Sequence, residues 1–312
     1  MAPWLSVVVP VYNGAETLGR SLRSLQGQCE GVEIVLADQG SSDGSRAVAE
    51  TFAEALPLQI IDTSGKTNWM ANTNAALRAA RAAHATILPQ DDLWQPGRAA
   101  LLRDLLQQHP QAALWCHAAS YADAGDRLHG RFAPPFGNRP RLVSGGEALS
   151  ALIVQNTLAM PAVMFPRAQA LAAGGLDEKL WYTADWDLWL RLAAQGSLAW
   201  SPARGVAFRL HGGAQTITGS RDIEDFRDQM ERVRARHAPA SPLLNRVAEA
   251  SIAVNVCLAG RYHKVPGACR GTLRLLAGLG PLGLGRSLRD SRLVARVLPR
   301  LRAKLFHQRP PG

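Results

Sequence analysis

The chain opens on Leu5-Ser-Val-Val-Val9, a nearly unbroken apolar run ending at Pro10, the pattern of a central strand covered on both faces. Val11 to Gly14 is a turn. Ala15 to Gln26 then repeats Leu18, Leu22 and Leu25 at helical spacing. Val32 to Ala37 predicts a second strand, Asp38-Gln-Gly-Ser-Ser-Asp-Gly44 a polar turn, and the next residues a helix to about Ala55. A third strand over Leu58–Asp62, a helix over Met70–Ala82 and a fourth strand over Ala85–Leu88, stopped by Pro89, continue the alternation. Strand and helix at this spacing predict parallel βαβ units. Ligands bind such sheets beyond the carboxyl ends of the strands. Tyr12-Asn13, Asp38 to Asp43 and Asp91-Asp92 all fall at that edge.

Leu101–Gln108 reads as a helix, Ala112–His117 as a strand, and Tyr121–Asp126 as a hairpin turn whose acids are structural. Phe132–Arg141, rich in Pro, Gly and aromatics, reads as a loop able to form a mobile rim. Gly145–Ile153 predicts a helix and Ala159–Phe165 a strand. Trp186, Leu190 and Ala193 mark a buried helix in which Asp187 and Arg191 are spaced for an i,i+4 salt bridge. A short strand at Gly205–Phe208 and a charged helix at Asp222–His237 follow. Beyond them lie helical patches broken at Pro266, Pro281 and Pro299, with a basic amphipathic helix over Ser287–Leu305. The expected architecture is α/β, with a mostly parallel sheet flanked by helices and a basic helical C-terminal extension. Its expected boundaries are 1–240 for the main domain (halves of about 1–115 and 116–240) and 241–312 for the extension.

Composition adds three points. With 47% hydrophobic and 19% charged residues in 312, the chain has ample material for a core. Cys29, Cys116, Cys257 and Cys269 are widely spaced and form no CxxC pair, which argues against a zinc site or disulfide framework and for a reducing cytoplasm. No signal peptide is expected, and no run approaches 18 uninterrupted apolar residues, so no transmembrane helix is expected either. The net charge of +10 belongs to the tail: residues 257–312 hold twelve Lys or Arg against Asp290 alone, leaving 23 basic and 24 acidic residues ahead of them. Such a tail favours an anionic partner. Its only aromatics are Tyr262 and Phe306, so stacking on nucleic acid bases has little support and an anionic membrane surface is the better fit.

The candidate chemistry follows from the same positions. Adjacent carboxylates at Asp91 and Asp92 repel unless a cation lies beside them, and Mg²⁺ or Mn²⁺ with a substrate phosphate suits oxygen ligands. The plainer reading makes Asp91 the cap of a helix starting near Pro96 and leaves Asp92 solvated. The turn at Asp38–Gly44 is neither a Walker loop nor GxGxxG. Asp38 suits reading a base or ribose, and Asp43 reads as a helix cap. Asp185 stands in the first turn of its helix, where the dipole favours the ionised form of a base, although capping alone predicts the same residue type. His211, in a loop of Gly and hydroxyls after a strand, is a ligand candidate against the commoner structural role of a lone histidine.

Taken together, the chain resembles family 2 glycosyltransferases of the GT-A fold over about residues 4–218. The resemblance rests on Val8-Val-Pro-Val-Tyr-Asn-Gly14, Asp38 to Gly44, Asn72-Thr-Asn74, Gln90-Asp-Asp-Leu-Trp94 with Pro96, Gly174-Gly-Leu-Asp177, Asp185-Trp-Asp-Leu-Trp-Leu-Arg191 and Arg209-Leu-His211, in the family's order. It implies a mixed, mostly parallel Rossmann-like sheet and a nucleotide-sugar donor, a UDP- or dTDP-sugar. Pro10, Val11, Tyr12, Asn13, Asp38, Asn72, Asn74, Gln90 and Asp91 would contact that donor. Asp91, Asp92 and His211 would serve Mn²⁺ or Mg²⁺, and Asp185 would be the catalytic base. The implied acceptor is a glycan or lipid-linked sugar in surface polysaccharide or lipopolysaccharide synthesis. The implied location is the cytoplasm, peripheral on the inner face of the membrane through 257–312. Gln39, Pro89 and Ala184 depart from the family's usual acids and bear on metal use. Two competing readings are a sugar-nucleotide nucleotidyltransferase and a non-catalytic nucleotide-sugar-binding protein. The first wants a basic Gly-rich loop near the N-terminus, where only Arg20 and Arg23 lie in the first 30 residues. One base and no second carboxylate nucleophile point to a single displacement with inversion, unlike the paired carboxylates of glycosidases.

Overall fold

The computed structural model describes residues 2–123, 125–209 and 218–298. The first half alternates as the hydrophobic pattern predicts: β1 (Leu5–Val11), α1 (Ala15–Arg23), β2 (Val32–Asp38), α2 (Ser45–Glu50), β3 (Leu58–Asp62), α3 (Trp69–Ala79) and β4 (His84–Ile87). Next come β5 (Leu93–Trp94), α4 (Arg98–Gln108), β6 (Leu114–Ala122), β7 (Leu128–Phe132), β8 (Arg141–Val143), α5 (Gly145–Leu152) and β9 (Val163–Pro166). Helices α6 (Arg167–Ala172) and α7 (Ala184–Ala193) lead to β10 (Leu198–Arg209). Helices α8 (Ile223–Arg236), α9 (Pro242–His263), α10 (Thr272–Ala277) and α11 (Gly280–Ser291) follow, with helical backbone again over 293–298.

All strands join one sheet in the order β3-β2-β1-β4-β9-β6-β10-β5, with β7 on β6 and β8 on β10. Strands β1, β2, β3 and β4 pair in parallel, as do β6 and β10. Strand β9 is antiparallel to both β4 and β6, so those two run the same way. The carboxyl ends of β1, β2, β4, β6 and β10 therefore share one edge.

Side chains alternate across that sheet. Val7 and Val9 of β1 with Ile34 and Leu36 of β2 pack against Leu18, Leu22, Phe52, Leu102 and Leu105 of the α1, α2 and α4 side. Val8 and Val35 face the opposite core, with Leu77, Leu152, Leu188, Phe226 and Val247 from α3, α5, α7, α8 and α9. Two covered faces explain why β1 and β2 read as continuous apolar runs.

Several expectations need correction. Strand β10 is far longer than the predicted Gly205–Phe208, because its register shifts between Ser201 and Val206 and the polar bulge there hides the period. The loop after β7 is packed, not a mobile rim: Phe136 is buried with its ring 6.1 Å from that of Trp200, whose Nε1 donates to Gly137 O at 3.1 Å. Cys257 and Cys269 form a disulfide (Cα–Cα 4.3 Å) that ties α9 to the segment before α10. The expected absence of disulfides is overturned, since the chain turns back at Lys264 after α9 and brings Cys269 beside Cys257, a return that spacing along the chain cannot reveal. Helix α9 is also long and apolar enough to cross a membrane by length and composition, although 44% of its apolar window is buried against the rest of the chain. The predicted basic helix breaks early: α11 ends at Ser291 and Arg292 has φ 51, while the part beyond 298 lies outside the described residues.

Candidate active site

A cleft of about 900 Å³ opens over the carboxyl edge of the sheet, within the size that holds a small ligand. Pro10, Val11, Tyr12 and Asn13 line one side, Gln90, Asp91 and Asp92 the floor, and Asn156, Trp181, Tyr182 and Asp185 the opposite wall.

The loop after β1 is held by its neighbours. Gln90 accepts from Tyr12 N at 2.9 Å and donates to Tyr12 O at 3.1 Å, so its amide acts like one more strand residue beside β1. A Cβ on Gly14 would lie 2.4 Å from Gln90 Cδ, which is why the turn has glycine there. Asn13 accepts from Ser42 N at 2.9 Å, and Asp43 accepts from Ala15 N at 2.9 Å and from Ser45 N at 3.0 Å, so it bonds the first residues of α1 and α2 while Gly44, not Asp43, is the cap of α2. Tyr12 is left with its ring 56% exposed at the mouth of the cleft.

Asp91 and Asp92 follow β4 and are fixed by the end of β10. Arg209 N donates to Asp92 Oδ1 at 2.9 Å and Arg209 Nε to Asp91 O at 2.7 Å. The other oxygen of Asp92, Oδ2, is buried with no hydrogen-bond partner among the described residues. Burial, and then the charge of Asp91, push the Asp92 carboxyl well above the usual carboxylate range. Helix α4 is capped by Gly97, so neither acid serves as its cap. A half-satisfied buried carboxylate beside a second one fits a hard divalent cation. Among the described residues no group of three or more metal-ligating side chains exists, and His211 lies outside them.

Asp185 enters from α7. It is buried, accepts from Trp186 N at 2.8 Å and from Asn156 Nδ2 at 3.0 Å, and burial raises its pKa to about 6. The helix start favours the ionised form, and desolvation outweighs it in raising the pKa, while leaving the group ionised at neutral pH. The result is a carboxylate that holds a proton weakly near neutrality, as a general base should.

Helix α7 itself is anchored by residues far from the cleft. Asn74 donates to Leu176 O and accepts from Leu176 N, both at 2.8 Å, and a Cβ on Gly175 would lie 2.5 Å from Asn74 Oδ1. The Asn72-Thr-Asn74 and Gly174-Gly175 stretches therefore meet. Asp187 is fully buried, accepting from Arg191 at 2.8 Å and lying 3.0 Å from Arg236 and 2.9 Å from His237. The expected helix pair is one arm of a network joining α7 to α8.

Not every predicted contact faces the cleft. Asp38 is buried, with Oδ1 accepting from Ser41 N at 3.0 Å, and the neighbouring Gln39 lines the cleft in its place. Asn74 braces the Gly174–Asp177 loop. Asn72 reaches the lining but spends its amide on Ala37 O at 3.0 Å and Thr63 at 2.6 Å. Arg209, Gln155, Asn156 and Arg296 line the cleft and were not singled out. Arg209 sat in a quoted motif, yet the others carry no local signal. Arg296 arrives from beyond α11, donating to Asn255 Oδ1 at 2.5 Å, and Asn255 donates to Gln155 Oε1 at 2.8 Å.

Fold and cleft together are those of a GT-A glycosyltransferase. The chain superposes on S. aureus TarS 1–349 in complex with UDP-GlcNAc with a TM-score of 0.63 at 16% identity, covering 96% of this chain and 92% of that one. It superposes on the Pyrobaculum calidifontis mannosyltransferase PcManGT, solved with GDP-Man and Mn²⁺, at 0.54 and 18% identity, covering 96% and 88%. Residues 6–156 match the model of glycosyl transferase family 2, and that match, the fold and the glycosyltransferase relatives together support a family 2 enzyme. In sequence it is 22% identical to an uncharacterized glycosyltransferase of Rickettsia prowazekii, over 73% of this chain and 70% of that protein. It is 27% identical to the amylovoran biosynthesis glycosyltransferase AmsE of Erwinia amylovora, over 61% and 70%.

Proposed function

We propose that the protein is an inverting glycosyltransferase that moves a sugar from a nucleotide-sugar donor to an acceptor hydroxyl. The observation that carries this reading is that Asp185, Asp91 and Asp92 line one cleft at the carboxyl edge of the sheet. Residues 1–115 would bind the nucleotide and 116–240 the acceptor. The donor would lie along Pro10–Asn13, with its diphosphate toward Asp91 and Asp92. Asp185 would take the acceptor's hydroxyl proton while that oxygen attacks the anomeric carbon from the face opposite the diphosphate. The carbon–oxygen bond to the diphosphate breaks, and its electron pair leaves with the nucleoside diphosphate. One displacement inverts the anomeric centre. Asp91 and Asp92 would hold Mn²⁺ or Mg²⁺, which when bound stabilises the negative charge on the leaving diphosphate.

Support for the donor class comes from the fold neighbours, solved with UDP-GlcNAc and with GDP-Man and Mn²⁺. A UDP- or dTDP-sugar is the first choice to test. Relatives named for polysaccharide biosynthesis, AmsE and the succinoglycan biosynthesis protein ExoU of Rhizobium meliloti, support a glycan acceptor and a cytoplasmic enzyme, and the basic C-terminal region would hold it on the inner face of the membrane. The test is titration calorimetry of UDP and dTDP, with and without Mn²⁺, on wild type and Asp91→Ala/Asp92→Ala. Metal-dependent binding absent from the double variant is expected. Binding indifferent to both metal and mutation would favour a non-catalytic nucleotide-sugar-binding protein.

A further inference from the structure

Helix α11 is built inside out. A surface helix ordinarily turns its apolar residues to the core. Here Gly283, Ser287, Asp290 and Ser291 are buried, while Leu282 is 84% and Leu288 60% exposed. At about 100° per residue, Leu282, Leu284 and Leu288 span the arc opposite Gly283 and Ser287. The orientation is enforced by space. A Cβ on Gly283 would come within 2.8 Å of Leu279 Cβ and 3.2 Å of Leu243 Cδ1, so only the small-residue face fits against its neighbours. Asp290 is held beneath by Arg286 at 3.2 Å and Arg289 at 2.7 Å. Leu273 of α10 is exposed at 82%, and Val294 at 71% continues the apolar surface past the end of α11.

The charge around these leucines is mostly of one sign. Arg261, Lys264, Arg270, Arg274 and Arg289 are exposed, and the only acid of residues 257–298, Asp290, is buried. From the neighbouring α5, one exposed acid, Glu147, acts on Arg289. Leucines set among an excess of exposed cations match the boundary between anionic headgroups and acyl chains. Small residues packed inward and leucines outward is likewise how helices meet lipid.

We infer that the outer face of α10 and α11 docks the protein on an anionic lipid bilayer, with Leu273, Leu282 and Leu288 entering the acyl boundary and the surrounding arginines on the headgroups. This rests on the membrane-side reading above and names the surface that performs it. Arg296, which follows α11 and lines the cleft, would put the acceptor wall next to the docked region.

The test uses the full chain and cosedimentation with vesicles of phosphatidylcholine, alone or mixed with phosphatidylglycerol. Wild type is expected to sediment with the mixed vesicles, and Leu282→Glu/Leu288→Glu to lose about tenfold or more of that binding. Arg270→Glu/Arg274→Glu should lose binding severalfold, in proportion to the anionic fraction. All four residues changed in these variants face solvent and can be replaced without opening the core, and circular dichroism checks the fold. Equal vesicle binding by wild type and the leucine variant would overturn the inference. So would wild type that ignores vesicles, including the outcome in which sedimentation velocity shows the leucines joining two copies of the chain. Nucleotide titration on the same preparations reports the donor reading separately: vesicle binding without nucleotide binding fails that reading alone, and the converse fails the docking face alone.

Discussion

Asn156 donates its side-chain amide to the carboxylate of Asp185 at 3.0 Å, placing a neutral donor, not a cation, on this buried acid of the cleft. A cation there would have pulled the carboxyl down; a neutral donor in a buried setting leaves its pKa at about 6.

Transfer should therefore have an acid limb, falling as pH drops through about 6, where the base becomes protonated. Asp185→Asn should lower kcat by about 10²–10⁴-fold with nucleotide affinity retained. The sign of the stability effect is opposite. The folded-state pKa lies above the ordinary 3.8, so stability from this group is full below about 4 and lost as pH rises through about 6. At neutral pH, Asp185→Asn should be the more stable protein, by on the order of 1–3 kcal/mol. Rate against pH and thermal melts at two pH values check both halves.

Asp187 behaves differently although it is two residues away and equally buried. Burial opposes its ionisation, but His237, Arg191 and Arg236 hold it below the usual carboxylate range. Asp187→Asn should cost about 2–4 kcal/mol, below the full value for a buried pair because Arg236 is 45% exposed. Chemical denaturation measures it, and UDP affinity extrapolated to native conditions should stay unchanged.

The chain Arg296–Asn255–Gln155 ties the C-terminal helices to the wall that holds Asn156. Arg296→Met keeps the packing stem and removes the charge. The expected outcome is unaltered donor hydrolysis with acceptor KM raised about tenfold, the scale of one charge-assisted contact. Equal loss of both activities would assign Arg296 to folding alone.

The Cys257–Cys269 disulfide closes a loop of 12 residues, worth about 3 kcal/mol by chain entropy. Reduction, or Cys257→Ser/Cys269→Ser, should make residues 257–298 more sensitive to limited proteolysis while the sheet domain melts as before. Coincident loss of both would show that the C-terminal helices and the sheet unfold as one unit.

The parallel half of the fold was legible because short apolar-rich segments at β1 to β4 alternate with longer helical stretches, of which α1 carries a leucine repeat, signals set within ten or so residues. Asp91, Asp92 and Asp185 were legible for a related reason: each stands beside an element boundary that the pattern marks. Strands β5, β7 and β8 were not, since they are short and owe their pairing to partners distant in sequence. That Asp38 and Asn74 spend their side chains on backbone groups was not legible, because a polar residue after a strand or within a helix suits a ligand and a backbone group equally, and only the path of the chain brings the latter near.

Sequence alone thus determined the alternation of elements, the edge of the sheet at which the acids collect and the basic character of the tail, all properties of local period and charge. Tertiary structure alone decided that Asn156 sits on Asp185, that Asp92 keeps one oxygen unpartnered among the described residues and that Arg296 reaches the cleft. It also decided that α11 turns its leucines outward. Each of these depends on which distant segments are brought within a few ångströms, and burial and hydrogen bonding are set by that proximity, not by order along the chain.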